Sequence, residues 1–413
     1  MMLDHAGSLR NLPARRIVHA IADAAARWHD ADFPPRVRAT RAIMERLSYT
    51  EPVVDYALDA LFGSVTAQAL EATIVSELGA LEALDGFVAR AGRPAVFARG
   101  VAKVAVISSD TTIGVALAPA IFALCAKADV TLKDRSDQLM GAFAQTLVQE
   151  EPSFATALHA HPWTTTREVL DGVADADAVV AFGKDDALLA IRAACKPEAR
   201  FIPFGHRTSA GYVPRTALTD EVAALAHARA AARDALLYDG EGCLSLHALF
   251  VESGAPIAPH AFARLVARAC DEVAVEFPPA SSTLTSAAHA YRERARFRAA
   301  QGDGAVYAGA RWPHLVVFDP PRDEPPPLAA RTLGIYPVHE PAEMLAYVRA
   351  QGLPLEAIAL PEDERGSLAT TFAAAGAARI ASLGRLQQPP LAGNHGGQER
   401  IRPFISFVYR DDG

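Results

Sequence analysis

Apolar and polar positions change rhythm along this chain. Up to about residue 98, Ala- and Leu-rich stretches with spaced charges cover 11–28 and 53–84, are broken near Phe33-Pro34-Pro35, and predict helices. From 101 short apolar runs alternate with helical segments. Strands are expected over 101–108 (VAKVAVIS), 130–133, 178–182 (AVVAF) and 201–204, with helices over 114–128, 137–149, 168–174 and 186–194. Such alternation implies a parallel sheet covered on both faces, the dinucleotide-binding type of architecture.

A second alternation follows. A helix over 219–237 ends in the turn Asp239-Gly240-Glu241-Gly242, with Cys243 directly after it and a strand over 247–252. A helix over 260–273, strands over 314–318, 332–338 and 357–360, and a helix over 341–351 complete the pattern. The run 320–327 (PPRDEPPP) is a surface connector. The β-prone segment 401–410 (IRPFISFVYR) is expected to complete a sheet elsewhere, a partner subunit of a homo-oligomer being one place for it.

With 413 residues, 51% of them hydrophobic, the chain should form two or three packed domains. A net charge of −8 without a long basic run excludes a dedicated nucleic-acid or membrane-surface binder. The longest uncharged apolar stretch, 113–126, is too short to span a bilayer, and 1–16 carry no signal-peptide core. A soluble, cytoplasmic protein is expected. Lysine occurs only at 103, 127, 133, 184 and 196, so 35 of the 40 basic residues are Arg. Each retained Lys is therefore a candidate for a role that Arg does not fill.

Cys125, Cys195, Cys243 and Cys270 lie far apart, without metal-ligand spacing or a disulfide framework, and no metal site is expected. His395, His159 and His161 also lack ligand partners at useful spacing. Cys243 alone follows a Gly-rich turn, where free backbone N–H groups favour a thiolate and can hold an oxyanion; an ordinary buried thiol is the alternative. Gly183 and Lys184 follow a buried strand and precede a helix whose N-terminus could face a pyrophosphate, although Asp185 and Asp186 could simply cap that helix. Lys184 is equally compatible with an ordinary surface lysine. His206 is either a base and carbonyl ligand or a structural histidine at a strand end. The Arg292–Arg298 run is either a solvated helix face or a dock for coenzyme A phosphates or an acidic carrier.

Five stretches, in order, resemble the LuxC-type acyl-CoA reductases of the aldehyde dehydrogenase superfamily: ADVTLKDRSDQLMGAF (128–143), DADAVVAFGKDDAL (175–188), FIPFGHRTSAGYV (201–213), GEGCLSLHALFVE (240–252) and RIASLGRLQQPPLAGNHGG (379–397). The resemblance implies Cys243 as the nucleophile and Lys133 as a ligand of the adenosine ribose. Ser136, beside Arg135, stands where NAD-preferring enzymes carry a Glu, which implies NADP(H), with NAD(H) as the other option. The hydrolytic enzymes' general-base Glu has no counterpart in 204–209. The oxyanion-hole Asn is likewise replaced by the stretch 108–112, where Thr111 or Thr112 could donate. In TLGIYPV (332–338), Leu333 or Gly334 stands in place of the ribose-binding Glu.

The implied fold is α/β and aldehyde dehydrogenase-like. It comprises an N-terminal helical part (1–98) of the cofactor domain, a Rossmann-like dinucleotide-binding core (99–213), an α/β catalytic domain (214–385) and a C-terminal arm (386–413). The implied activity is NADPH-dependent reduction of an acyl thioester, acyl-CoA or acyl-carrier protein, to an aldehyde. Catalysis would rest on Cys243, His206 and Thr111, and cofactor binding on Lys133, Arg135, Ser136, Gly183 and Lys184. The alternatives are an aldehyde dehydrogenase running oxidatively, or a degenerate member acting as a carrier-binding scaffold.

Overall fold

The apolar stripe at Ile17, Val18, Ile21, Ala24 and Ala25 buries one face of helix α1 (Ala14–Ala26). Helices α2 (Pro34–Leu47), α3 (Glu51–Gly63) and α4 (Ala67–Leu78) follow; Thr66 caps α4, and Gly79 ends it at φ 91°. The computed structural model describes residues 8–109, 112–134, 138–281, 283–302 and 304–411.

The expectation of helix up to residue 98 fails at its end. Strands β1 (Val88–Arg90) and β2 (Arg93–Gly100) form a hairpin around Ala91-Gly92, with Gly92 at φ 66°. Alanine is common in this stretch and mimics a helix, but the turn glycine and the burial of Ala95, Val96 and Ala98 select a strand.

The next five strands are all parallel: β3 (Lys103–Ile107), β4 (Asp129–Lys133), β5 (Leu158–His161), β6 (Ala178–Phe182) and β7 (Arg200–Phe204), in the order β5-β4-β3-β6-β7. Between them run α5 (Leu117–Cys125), α6 (Leu139–Glu150), α7 (Thr166–Val173) and α8 (Asp185–Ala194). The chain winds outward in one direction from β3 to β5 and in the other from β6 to β7. The crevice beyond the C-terminal ends of β3 and β6 is therefore where a doubly wound sheet receives a ligand.

A second sheet has seven strands: β8 (Thr208–Val213), β9 (Leu246–Glu252), β10 (Ala305–Ala308), β11 (Leu315–Phe318), β12 (Thr332–Val338), β13 (Leu355–Leu360) and β14 (Arg379–Ser382). Their order is β10-β11-β12-β9-β8-β13-β14, parallel except for the β10–β11 pair. Helices α9 (Glu221–Leu236), α10 (Pro259–Glu276), α11 (Ser286–Ala300), α12 (Pro341–Ala350) and α13 (Arg365–Ala374) belong to the same part of the chain. Every residue of β8, β9 and β13 is buried, as expected for central strands.

The chain divides into two units: 1–47, 54–205 and 390–413 form the first, and 48–53 with 206–389 the second. The stretch 208–213, placed at the end of the dinucleotide-binding core by the sequence, thus builds a strand of the second sheet. The terminal strand β15 (Ile405–Arg410) pairs antiparallel with β2 of its own chain.

Candidate active site

Cys243 is delivered by a strained elbow. After α9 the chain takes three consecutive left-handed residues, Tyr238 (φ 55°), Asp239 (φ 53°) and Gly240 (φ 72°). For Tyr and Asp this conformation costs about 1–2 kcal/mol each. At Gly240 a Cβ would lie 3.1 Å from both the Ala235 oxygen and the Arg331 nitrogen. Arg331, 4% exposed, holds the elbow. Its Nη1 donates to Asp239 Oδ1 at 2.9 Å, its Nε to the Pro313 carbonyl at 3.1 Å, and its backbone N–H to the Asp239 carbonyl at 2.8 Å. The Ala280 N–H meets Asp239 Oδ2 at 3.0 Å.

The outcome is a cysteine at the mouth of β9 that is exposed, whereas Cys125 and Cys270 are buried in helices and the half-buried Cys195 donates to the Ile191 carbonyl at 3.2 Å. Ser209 on β8 donates to the Cys243 carbonyl at 3.1 Å. Ser245 lies two residues on. It accepts from Gln387 Nε2 at 2.8 Å, and its own N–H closes onto the Gly242 carbonyl at 2.9 Å. Gln387 is presented by a turn fixed on Asp234, whose carboxylate accepts the N–H groups of Gly384 at 2.6 Å and Leu386 at 3.0 Å. Burial pushes the Asp234 carboxyl up to about 7 despite these donors and the charges of Arg379 and Arg233.

Cys243 stands at the N-terminal edge of its sheet. On the same edge lie Arg207, just before β8; Glu356, the second residue of β13; and Arg379, the first of β14. Glu356 is buried and lies 3.6 Å from Arg207 Nε. Arg379 Nη2 donates to the Leu386 carbonyl, while its buried Nε and Nη1 have no hydrogen-bond partner. Desolvation by the surrounding protein pushes the Cys243 thiol up to about 11, and the Glu356 carboxylate adds to it. The N–H groups of Cys243 and Leu244 and the Arg379 charge act in the opposite direction.

His206 is exposed, in the link between β7 and β8. Its charge acts on His247, whose pKa burial lowers, and Glu356 and Arg379 are the charged side chains that act most on Cys243. At position 334 glycine is demanded by packing, because a Cβ there would lie 2.5 Å from the Tyr336 hydroxyl.

The five-stranded sheet carries the other set of candidates. Lys133 ends β4, and its carbonyl accepts the Ser108 hydroxyl at 2.7 Å. Gly183 follows β6. A Cβ on it would meet only Ala187, at an ordinary 3.7 Å, so protein packing does not demand a glycine there. Lys184 is the N-cap residue of α8 and makes no side-chain cap. Phe182 stacks on Phe204 at 4.8 Å between centroids, and Phe204 on His395 at 4.3 Å. Thr111, Arg135 and Ser136 lie outside the described residues. The other three lysines have aspartate partners: Lys103 with Asp175 at 3.8 Å, Lys127 with Asp85 at 2.6 Å and Lys196 with Asp177 at 2.6 Å.

Sequence reasoning did not single out Glu356, Arg379, Arg331 or Asp234. Gln387 stood within a quoted stretch, RLQQPP, without an assigned role. Among the described residues no group of three or more His, Cys, Asp or Glu could hold a metal ion, and no helix is long and apolar enough to cross a membrane.

Comparison with known proteins places this geometry. The chain matches the family model described as acyl-CoA reductase (LuxC) over residues 9–405. No curated protein matches it. Among solved structures it is similar to an NAD-dependent benzaldehyde dehydrogenase from Corynebacterium glutamicum, at 14% identity, 97% of this chain and 87% of that one, with a TM-score of 0.66. It is also similar to a succinic semialdehyde dehydrogenase from Streptococcus pyogenes solved with NADP+, at 13% identity, 100% and 91% coverage and a TM-score of 0.67. A third is a glyceraldehyde-3-phosphate dehydrogenase from Methanocaldococcus jannaschii complexed with NADP, at 12% identity, 97% and 90% coverage and a TM-score of 0.65. These likenesses establish the aldehyde dehydrogenase fold.

Proposed function

This chain belongs to the LuxC family of acyl-CoA reductases, an oxidoreductase acting on an acyl or aldehyde group, and from that premise we propose that it reduces an acyl thioester to an aldehyde through an acyl-enzyme on Cys243. The observation that carries the reading is the exposed Cys243 on its strained elbow, beside three cysteines that packing withdraws. Strain of this kind survives where surrounding contacts over-determine it, as those of Arg331 and Asp239 do here.

In the acylation step the Cys243 sulfur attacks the thioester carbonyl and expels the thiol of coenzyme A or of an acyl-carrier protein. The N–H groups of Cys243 and Leu244 hold the oxyanion. No carboxylate stands in 204–209 to activate water against the acyl-enzyme. His206, exposed at the start of the second unit, is assigned to the substrate carbonyl.

A nicotinamide cofactor, if bound at the C-terminal edge of the five-stranded sheet, would supply the hydride. The residues there fit it: the space beside Gly183 is one a close-lying pyrophosphate would use, Lys133 ends β4, and Lys184 caps α8 just after β6, on the other side of β3. Asp185 and Asp186 in the first turn of α8 oppose an anion, so the lysine charges are needed. Arg135 and Ser136 in place of a carboxylate support NADP(H). The cytoplasm and a homo-oligomeric state are the setting we propose.

Incubation with a labelled acyl-CoA panel tests this. Hydroxylamine-labile acylation is expected with at least one thioester and lost in Cys243→Ala, with aldehyde formed faster from NADPH than from NADH. Absence of acylation with every thioester would overturn the reading.

A further inference from the structure

The edge that presents Cys243 also gathers opposite charges from strands far apart in sequence. Parallel pairing aligns Ala357 with Arg379, Leu355 with Thr208 and Ser209 with Leu246. Arg207, Cys243, Glu356 and Arg379 therefore share one edge although up to 172 positions separate them. The arrangement around Arg379 is costly for stability alone. Its Nε and Nη1 are buried without hydrogen-bond partners, and each such unmade bond is destabilising. Burial works against the Arg379 charge and holds its pKa below the usual guanidinium range, whereas Glu356, Asp234 and an ionised Cys243 favour it. A cation short of hydrogen-bond partners, on the edge that carries Cys243, is placed to favour negative charge there.

We propose that Arg379 is the positioning residue that supports the Cys243 thiolate, and that Glu356, paired with Arg207 on the same edge, opposes it. The inference rests on Cys243 being the nucleophile and deepens that reading. It names what favours the reactive form of the sulfur in a chain that has no carboxylate in 204–209. No bond from Arg379 to the sulfur exists in the resting structure; the residue acts through its charge. The groups that face the pair are Asp234 from α9, Arg207 ahead of β8, and Leu386, whose carbonyl anchors Nη2. Removing the cation should raise the pH at which the sulfur ionises, and removing the opposing carboxylate should lower it.

The test is iodoacetamide alkylation of the full chain across pH 7–11, followed on the Cys243 peptide by mass spectrometry. Arg379→Gln is expected to slow alkylation at pH 9 at least threefold and move the profile to higher pH. Arg379→Lys should restore most of the rate, and Glu356→Gln should speed alkylation at least threefold. A merely structural role would move Arg379→Gln and Glu356→Gln in the same direction. Should Arg379→Gln fail to fold by circular dichroism, the Lys and Glu356→Gln arms decide. Profiles unchanged in both, or shifted alike, overturn the inference. Alkylation needs neither thioester nor nicotinamide. Opposite shifts without any acylation would thus sink the proposed function alone, and acylation with unshifted profiles would sink this inference alone.

Discussion

The two sheets put their candidate chemistry at opposite ends of their strands. In the five-stranded sheet Lys133 and Gly183 lie at C-terminal ends, where a doubly wound fold leaves a crevice for a ligand. In the seven-stranded sheet Cys243, Glu356 and Arg379 lie at N-terminal ends, on an edge built by an elbow and a buried charge cluster. The first edge needs almost no strain, because strand order makes the crevice. The second must be forced into shape and held by ion pairs. Under the proposed function, cofactor binding is thus the inexpensive property of this chain and presentation of Cys243 the costly one.

That contrast can be broken experimentally. Arg331→Ala should have the largest effect on stability, about 3–5 kcal/mol, because it leaves Asp239 uncompensated and frees the elbow. Urea unfolding measures it, and a loss below about 1 kcal/mol would mean that the elbow is not held this way. At the other edge Gly183→Val should leave stability nearly unchanged, since no protein atom crowds that position. It should instead weaken NADPH binding about tenfold, or about 1.4 kcal/mol, in fluorescence titration. Unchanged binding would remove the cofactor from the end of β6.

The smallest effects concern the lysines. Lys196→Ala should lower the denaturation midpoint at pH 7, and Lys103→Ala, with an exposed partner, should lower it less. The sign with pH follows from Asp177. Burial alone would raise its pKa, but Lys196 and the N–H groups of Lys103 and Ala102 outweigh that and hold it below the usual aspartate range. Its stabilisation is therefore complete above the unfolded aspartate pKa near 3.9 and is lost as pH falls through the lower folded value. Denaturation midpoints at pH 7 and pH 3 should show a smaller Lys196→Ala deficit at pH 3 than at pH 7.

How much of this the sequence discloses depends on the distance between partners. The alternation after residue 101 predicted β3, β4, β6 and β7 because each strand is a local apolar run with its own turn. The hairpin β1–β2 is hidden by alanine, and 208–213 falls within the expected dinucleotide-binding core because no local signal says which neighbour a segment will pair with. Cys243 was legible from its Gly-rich turn and its resemblance to a known family. Glu356 and Arg379 were not, since nothing in LPLEAIAL or AARIASLG marks a residue that only register brings beside a thiol. Likewise, the five lysines looked alike until three proved to have aspartate partners, leaving Lys133 and Lys184 at strand ends.

The antiparallel pairing of β15 with β2 has a consequence for synthesis. Gly100 aligns with Ile405, and the Arg200 guanidinium reaches the Ile405 carbonyl at 2.6 Å and Ser406 Oγ at 2.8 Å. On the ribosome the seven-stranded sheet can close once residue 382 has emerged, whereas β2 waits with one open flank until the codons for 405–410 are translated. Until then the nascent chain exposes an unpaired strand edge of the kind that recruits the wrong partner. The part of the molecule that begins first is thus the part that finishes last.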